Sequence, residues 1–225
     1  AWRLRQYERV LLHADKIFAI TNTDAAYFIR KYPPVLTYCL PCFFDDAGLK
    51  ENNIEKLDKG GYILYHGNLS VLENVRVVDY ILDNLVVGLE AGVQVLIAGK
   101  NPDKNMQEKI ARIQGVSLVA NPSQEEMETL IASARINLLF TFQNTGIKLK
   151  LIYSLMKGRG HCLVNSMMIP DRRFAELCVI ADTKEAQIAA IRELYDKPLL
   201  PEALQWRQQA LRGMGYSNQV TSILR

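Results

Sequence analysis

The feature that most restricts this chain is a rhythm that begins at residue 62. Short apolar runs recur about every 20–30 residues, separated by segments with apolar residues at helical spacing. The runs cover 62–65, 93–98, 116–119, 136–140, 161–165 and 178–181. They are uninterrupted rather than alternating, which is the pattern of strands covered on both faces. The first intervening segment puts Val71, Val75, Val78, Leu82 and Leu85 on one helical stripe. Later segments do the same with Met106, Ile110 and Ile113, and with Met127, Leu130, Ile131 and Ala134. Further helices are expected over 147–157, ended by Gly158, over 171–177, over 182–195, and from about 202 to 212. This order predicts an α/β fold, a doubly wound parallel sheet of Rossmann type.

Upstream, Leu4, Tyr7, Leu11 and Ala14 share a helical face, and residues 16–20 read as a strand. Thr21 or Thr23 caps a helix through Tyr27 to Lys31, which Pro33-Pro34 stops, and 35–44 is extended and apolar. Residues 45–61 are the most polar stretch, with Gly48, Gly60 and Gly61. The expected division is residues 1–45, a linker over 46–60, a Rossmann-like domain over 61–205 and a C-terminal helix over 206–225.

Charge excludes little but is informative. The 27 basic and 24 acidic residues leave a net charge of +3 with no dense basic stripe, so nucleic acid is not expected as a partner. No apolar run is long enough to span a membrane, and the opening Ala1-Trp2-Arg3-Leu4-Arg5 is not a secretory leader. A cytoplasmic protein is therefore expected, with room for peripheral contact at a membrane surface. The missing initiator methionine reads as an excised piece of a longer chain. Cys162 and Cys178 lie in apolar runs as core residues, and Cys39-Leu40-Pro41-Cys42 reads as strand and turn rather than a metal or redox motif. No metal site is expected. Ser70 and Glu73, Ser123 and Glu126, and Asp182 and Glu185 have capping-box spacing, which assigns Glu73 and Glu126 to helix starts.

In an open parallel sheet a ligand lies beyond the carboxyl ends of the strands. The loops there are 66–70, 99–101, 120–123 and 141–146, with another after Asn165. Gly67 and Gly146 each precede a helix, Lys148 and Lys150 fall in the first turns of the latter, and Gly99-Lys100 forms a second glycine turn. Glycine permits close backbone approach, and helix N-termini present free N–H groups, so this set suits a phosphate. The dinucleotide fingerprint and the Walker sequence are both absent. Of the three histidines only His66 lies on a candidate loop, where a hydrogen-bonded strand-end residue is the expected reading. For Lys148 and Lys150 the alternative is a solvated helix face.

At this point the chain resembles the donor-binding half of a GT-B glycosyltransferase of the retaining, nucleotide-sugar-dependent kind. The likeness rests on Tyr65-His66-Gly67-Asn68-Leu69, on Val95 to Lys100, on Gly115 to Val119 with the helix from Ser123, and on Thr145-Gly146-Ile147-Lys148-Leu149-Lys150 leading to Gly158. The strand from His161 to Asn165 fits the one that follows. The resemblance implies transfer of a sugar, with retention, from a UDP- or GDP-sugar to a glycan or lipid-linked acceptor, in surface polysaccharide synthesis. It implies a hexosyltransferase, inactive as an isolated fragment, whose first 45 residues are a remnant of the acceptor-side domain and whose partner is the missing rest of that domain. The last helix, with Trp206, would cross back to it.

The resemblance places Gly67, Asn68, Gly146, Ile147, Lys148 and Lys150 near the diphosphate, Tyr153 near the ribose, and Thr145, Gly99 and Lys100 around the donor. It identifies no catalytic residue. Four positions depart from the family pattern: Thr145 and Tyr153 stand where carboxylates are usual, and Asn68 and Glu73 where cations are usual. Two alternatives follow: a nucleotide-sugar epimerase of the same architecture, or a non-catalytic module with an eroded donor site.

Overall fold

The computed structural model describes residues 7–40, 61–143, 148–170 and 172–214. These fall into two compact units, the smaller covering 7–40 and the larger the remainder.

The smaller unit is a strand–helix–strand motif: β1 (Lys16–Ala19), α1 (Asn22–Lys31) and β2 (Leu36–Cys39), with the strands parallel. Thr21 is the cap, its hydroxyl oxygen accepting from the Asp24 N–H at 3.0 Å. Ile17, Tyr32 and Val35 form a small core beneath Leu11, Ala14 and Phe28. The opening helical face is realised in part: a 3₁₀ turn covers Val10–His13 and buries nothing, and Leu4 lies outside the described residues.

The larger unit contains β3 (Tyr62–Asn68), α2 (Leu72–Tyr80), β4 (Gln94–Lys100), α3 (Lys104–Ala111), β5 (Val116–Ala120) and α4 (Gln124–Ser133). It continues with β6 (Ile136–Leu139), α5 (Leu149–Lys157), β7 (His161–Val164), α6 (Arg172–Ala175), β8 (Val179–Ile180), α7 (Lys184–Tyr195) and α8 (Pro201–Met214). The strand order is β5-β4-β3-β6-β7-β8, and every registered pair is parallel. The expected α/β Rossmann-like sheet is therefore present. Both faces are covered, as continuous apolar strands require. Ile63, Tyr65, Val95 and Ile97 pack with Val77, Val78 and Ile191 on one side, and Leu64 and Ala98 pack with Ile131 and Ala134 on the other.

From β3 the chain proceeds to β4 and β5 on one side, then returns to β6, β7 and β8 on the other. The order reverses between β3 and β6, and the crevice at their carboxyl ends is where an open sheet of this kind binds ligands.

Several local expectations are corrected. β3 runs on through His66, Gly67 and Asn68, which were expected in a loop. They pair with Ala98, Gly99 and Lys100, so the two glycines face each other across the ladder. A Cβ on Gly99 would lie 1.8 Å from the Gly67 carbonyl oxygen, which gives Gly99 a packing role. The Ser123–Glu126 capping box forms in full. The other two boxes do not form. Ser70 turns to the Asn68 side chain, and α2 begins after Val71 with no side-chain cap. α7 is capped by Thr183, while Asp182 accepts from the Ser166 N–H at 2.7 Å. In both cases spacing along the helix is outcompeted by a partner from an adjacent turn or strand end. The linker over 46–60, together with Cys42 and Asp171, lies outside the described residues, as do Thr145, Gly146 and Ile147.

Candidate functional site

The crevice at the strand reversal is built from the ends of β3 and β6 and the first turns of α2 and α5. Lys150 is the second residue of α5, and the helix turns it inward rather than to solvent. Its Nζ donates to Asn74 Oδ1 at 3.1 Å and to the Tyr65 hydroxyl at 3.3 Å, and sits 4.9 Å from the Tyr65 ring centroid. Tyr65 is fully buried, donates to Asn74 Oδ1 at 3.0 Å, and is held well above the usual phenol range by burial. Asn74 completes the group by donating to the Asn68 carbonyl at 2.8 Å. Burial brings the Lys150 ammonium down to about 8, against the pull of Glu73 and with a push from Lys148. The solvated-face alternative is thereby overturned for Lys150.

Lys148 caps α5 through its backbone and donates from Nζ to the Gln143 carbonyl at 2.8 Å. Burial also lowers it, against the charge of Glu73. The segment it steadies, 141–143, is fixed from two further directions. Asn165 exchanges hydrogen bonds with the Thr141 backbone, accepting at 3.3 Å and donating at 2.7 Å. Glu73 Oε1 accepts from the Thr141 hydroxyl at 2.8 Å and from the Phe142 N–H at 2.6 Å. Burial would raise the Glu73 carboxyl, but the Phe142 N–H, the Thr141 hydroxyl and the charges of Arg76 and Lys150 outweigh it, so the group is ionised at neutral pH. Arg76 lies over the Phe142 ring at 5.5 Å.

His66 is a buried strand residue whose Nε2 lies 2.8 Å from Ser154 Oγ. Burial, with the charge of Lys150 added, holds it at about 3, so it is neutral and bridges β3 to α5. This agrees with the hydrogen-bonded strand-end reading.

Tyr153 faces α4 and not the Lys150 group. Its hydroxyl donates to Glu128 Oε1 at 2.8 Å, and Glu128 also accepts from Lys157 at 3.1 Å and from Gln124 at 3.2 Å. The Tyr153 hydroxyl is pushed up to about 12 by burial and by that carboxylate, while the Glu128 carboxyl is lowered, chiefly by Tyr153 and Lys157.

Of the residues expected around a ligand, the structure brings Asn68, Lys148 and Lys150 to the ends of β3 and α5. Gly67 faces Gly99 in the ladder, with the Asn74 side chain 3.2 Å from where its Cβ would be, and Lys100 ends β4 in an exposed position. Three residues of the Lys150 and Glu73 groups carried no site expectation from the sequence, Tyr65, Asn74 and Arg76, and neither did Glu128 beside Tyr153. Asn74 and Arg76 carried one signal, since both lie in the first two turns of the helix after the first strand. Among the described residues no group of three or more His, Cys, Asp or Glu could hold a metal ion. No described helix is long and apolar enough to cross a membrane.

No protein-family model and no curated protein matches the sequence. Solved structures do. The crystal structure of TarM superposes with a TM-score of 0.75 at 10% identity, over 100% of this chain and 45% of its own. A glycosyltransferase from Rickettsia africae gives 0.70 at 11% identity, over 98% of this chain and 64% of its own. The pneumococcal O-GlcNAc transferase GtfA, in complex with UDP and GlcNAc, gives 0.67 at 12% identity, over 93% and 44%. The chain has the GT-B glycosyltransferase fold. It spans between 44% and 64% of the length of these structures. Within the GT-B fold, the two positions where the resemblance implied carboxylates are Thr145, outside the described residues, and Tyr153, which recruits the carboxylate of Glu128 from the adjacent helix.

Proposed function

We propose that this chain is the donor-binding part of a glycosyltransferase, and that its larger unit holds a nucleotide diphosphate sugar at the reversal between β3 and β6. The observation that carries this reading is Lys150: a partly buried ammonium, anchored by Tyr65 and Asn74, beside a second lysine at the carboxyl ends of parallel strands. A buried cation is costly to keep unless an anion draws on it. Gly67, Asn68, Gly146, Ile147, Lys148 and Lys150 would surround the diphosphate, with Thr145, Gly99 and Lys100 at the margins. Tyr153 and Glu128 together would take the ribose hydroxyls, Glu128 supplying the carboxylate that Tyr153 lacks.

In the reaction the bond from the anomeric carbon to the diphosphate oxygen breaks, and its electron pair leaves on the diphosphate. The acceptor oxygen forms the new bond to that carbon, and its proton passes to the departing diphosphate oxygen. Lys150 stabilises the charge that grows on the leaving group. We infer a UDP- or GDP-sugar donor, transfer with retention, and a glycan or lipid-linked acceptor in surface polysaccharide synthesis, in the cytoplasm. Residues 1–45 would belong to the acceptor-side domain, the rest of which lies outside this chain. The UDP bound by GtfA favours UDP.

The test is a calorimetric and thermal-shift titration of this chain with UDP, GDP, ADP and their sugars. Saturable binding of one base is expected, weakened at least tenfold by Lys150→Ala and severalfold by Tyr153→Phe. The absence of any binding, both here and in a longer chain with its acceptor side restored, would refute the transferase reading. One observation favours a non-catalytic module instead: Glu73 brings negative charge to the place where the donor's phosphates would lie.

A further inference from the structure

Glu73 makes contacts that its sequence context does not ask for. It stands at the third position after Ser70, where a capping box would turn its carboxylate back onto its own helix. That box does not form. The carboxylate reaches instead across to the end of β6, where Oε1 takes both the Thr141 hydroxyl at 2.8 Å and the Phe142 N–H at 2.6 Å. A backbone N–H and a hydroxyl converging on one oxygen, at the carboxyl end of a central parallel strand, are the donors a phosphate oxygen would take. Cations lie on this side of the fold: Arg76 is 5.5 Å from the Phe142 ring, its charge and that of Lys150 act on the Glu73 carboxylate, and Lys148 holds the next residue through the Gln143 carbonyl. The carboxylate thus has the charge, the acceptor atom and the position of a bound anion.

We propose that Thr141 and Phe142, with Arg76, Lys148 and Lys150 supplying positive charge nearby, form an anion subsite that the Glu73 carboxylate fills from within, and that a phosphate group binds there by displacing Glu73. This rests on the donor-site reading above and adds a regulation to it: the site is self-occupied, and the donor competes with an internal anion. The arrangement lets Lys148 and Lys150 stay close together without a ligand, because Glu73 offsets part of their repulsion. When a diphosphate enters, Glu73 swings out and the cations transfer to the ligand. The departure at position 73 then tunes affinity downward without abolishing the site.

The probe is inorganic pyrophosphate, titrated calorimetrically into the full chain as wild type, Glu73→Gln and Glu73→Ala. Glutamine keeps an acceptor for Thr141 and Phe142 but loses the charge, and alanine frees both donors. The expected order of affinity is Ala above Gln above wild type, with at least tenfold between the ends, as removal of one adjacent like charge implies. The Phe142 amide resonance, followed by ¹⁵N NMR, should move on pyrophosphate addition in the alanine variant. Equal or weaker binding by both variants, or an unmoved Phe142 amide, overturns the proposal and leaves Glu73 as a loop anchor. The two readings fail separately. Tighter pyrophosphate binding by the alanine variant with no nucleotide bound removes the donor reading but keeps the subsite. Nucleotide binding by wild type with no gain from either variant does the reverse.

Discussion

Replacing Lys150 by methionine should make the protein more stable at neutral pH while weakening the proposed anion site. The side chain is partly buried, and its ammonium is brought from 10.5 to about 8. At about 1.4 kcal/mol per pH unit, that displacement corresponds to about 3 kcal/mol of cost for keeping the charge inside the fold. Below pH 8 both the folded and unfolded chains carry the proton, so the whole cost is present. Between 8 and 10.5 the folded chain has lost the proton and the unfolded chain still holds it, so stability rises with pH. Above 10.5 the cost is gone. Methionine retains most of the apolar stem and leaves Asn74 Oδ1 satisfied by the Tyr65 hydroxyl. Allowing for the lost hydrogen bonds, the variant should gain about 1–3 kcal/mol at pH 7. Urea unfolding followed by circular dichroism, on both proteins from pH 6 to 10.5, measures the difference directly. That difference should be flat to pH 8 and then shrink by up to about 1.4 kcal/mol per unit. A variant less stable than wild type at pH 7, with a gap that does not change with pH, would refute the argument that Lys150 is held at a cost. A charge held at a cost to stability is the trade-off that the proposed binding role would explain.

Three further outcomes are expected. Gly99→Ala should cost more than about 2 kcal/mol in thermal or urea unfolding, because the new Cβ would meet the Gly67 carbonyl 1.8 Å away and force β3 and β4 apart. Arg207→Ala should cost about 2–4 kcal/mol, since the buried guanidinium of α8 donates to the carbonyls of Gly158 and Gly160, and alanine leaves both without that partner and opens a cavity. The His66 ring protons should show no titration by NMR between pH 5 and 8. Its group contributes stability that falls away as pH drops from 6.5 toward about 3, where the unfolded chain takes up a proton that the folded one refuses.

The sheet was legible because covered parallel strands must be apolar on both faces, and no other element of that length is. Residues 93–98 and 136–140 could hardly be read otherwise, and β4 and β6 lie there. The doubly wound class followed from the same pattern, and with it the end of the sheet where a ligand is expected, but the reversal between β3 and β6 is set by the strand pairing. Strand ends were less legible. His66, Gly67 and Asn68 carry turn-forming residues, and only pairing with Ala98, Gly99 and Lys100 extends β3 through them. Lys150 was placed correctly in the first turns of its helix, but which way it faces was settled by packing against Tyr65 and Asn74.

What the sequence by itself determined is therefore the architecture: strand count, parallel sense and the end of the sheet where a ligand is expected, all consequences of where apolar side chains recur along the chain. What only the tertiary structure decided is the charge arrangement at that end. Ser123 and Glu126 kept the local partners their spacing offered, while Glu73 exchanged its helix cap for donors 68 and 69 residues away, and Tyr153 found a carboxylate on the adjacent helix. Burial follows from periodicity, which is local. A hydrogen-bonding partner is chosen by whichever donors the fold brings within 3 Å, and no spacing along the chain records that.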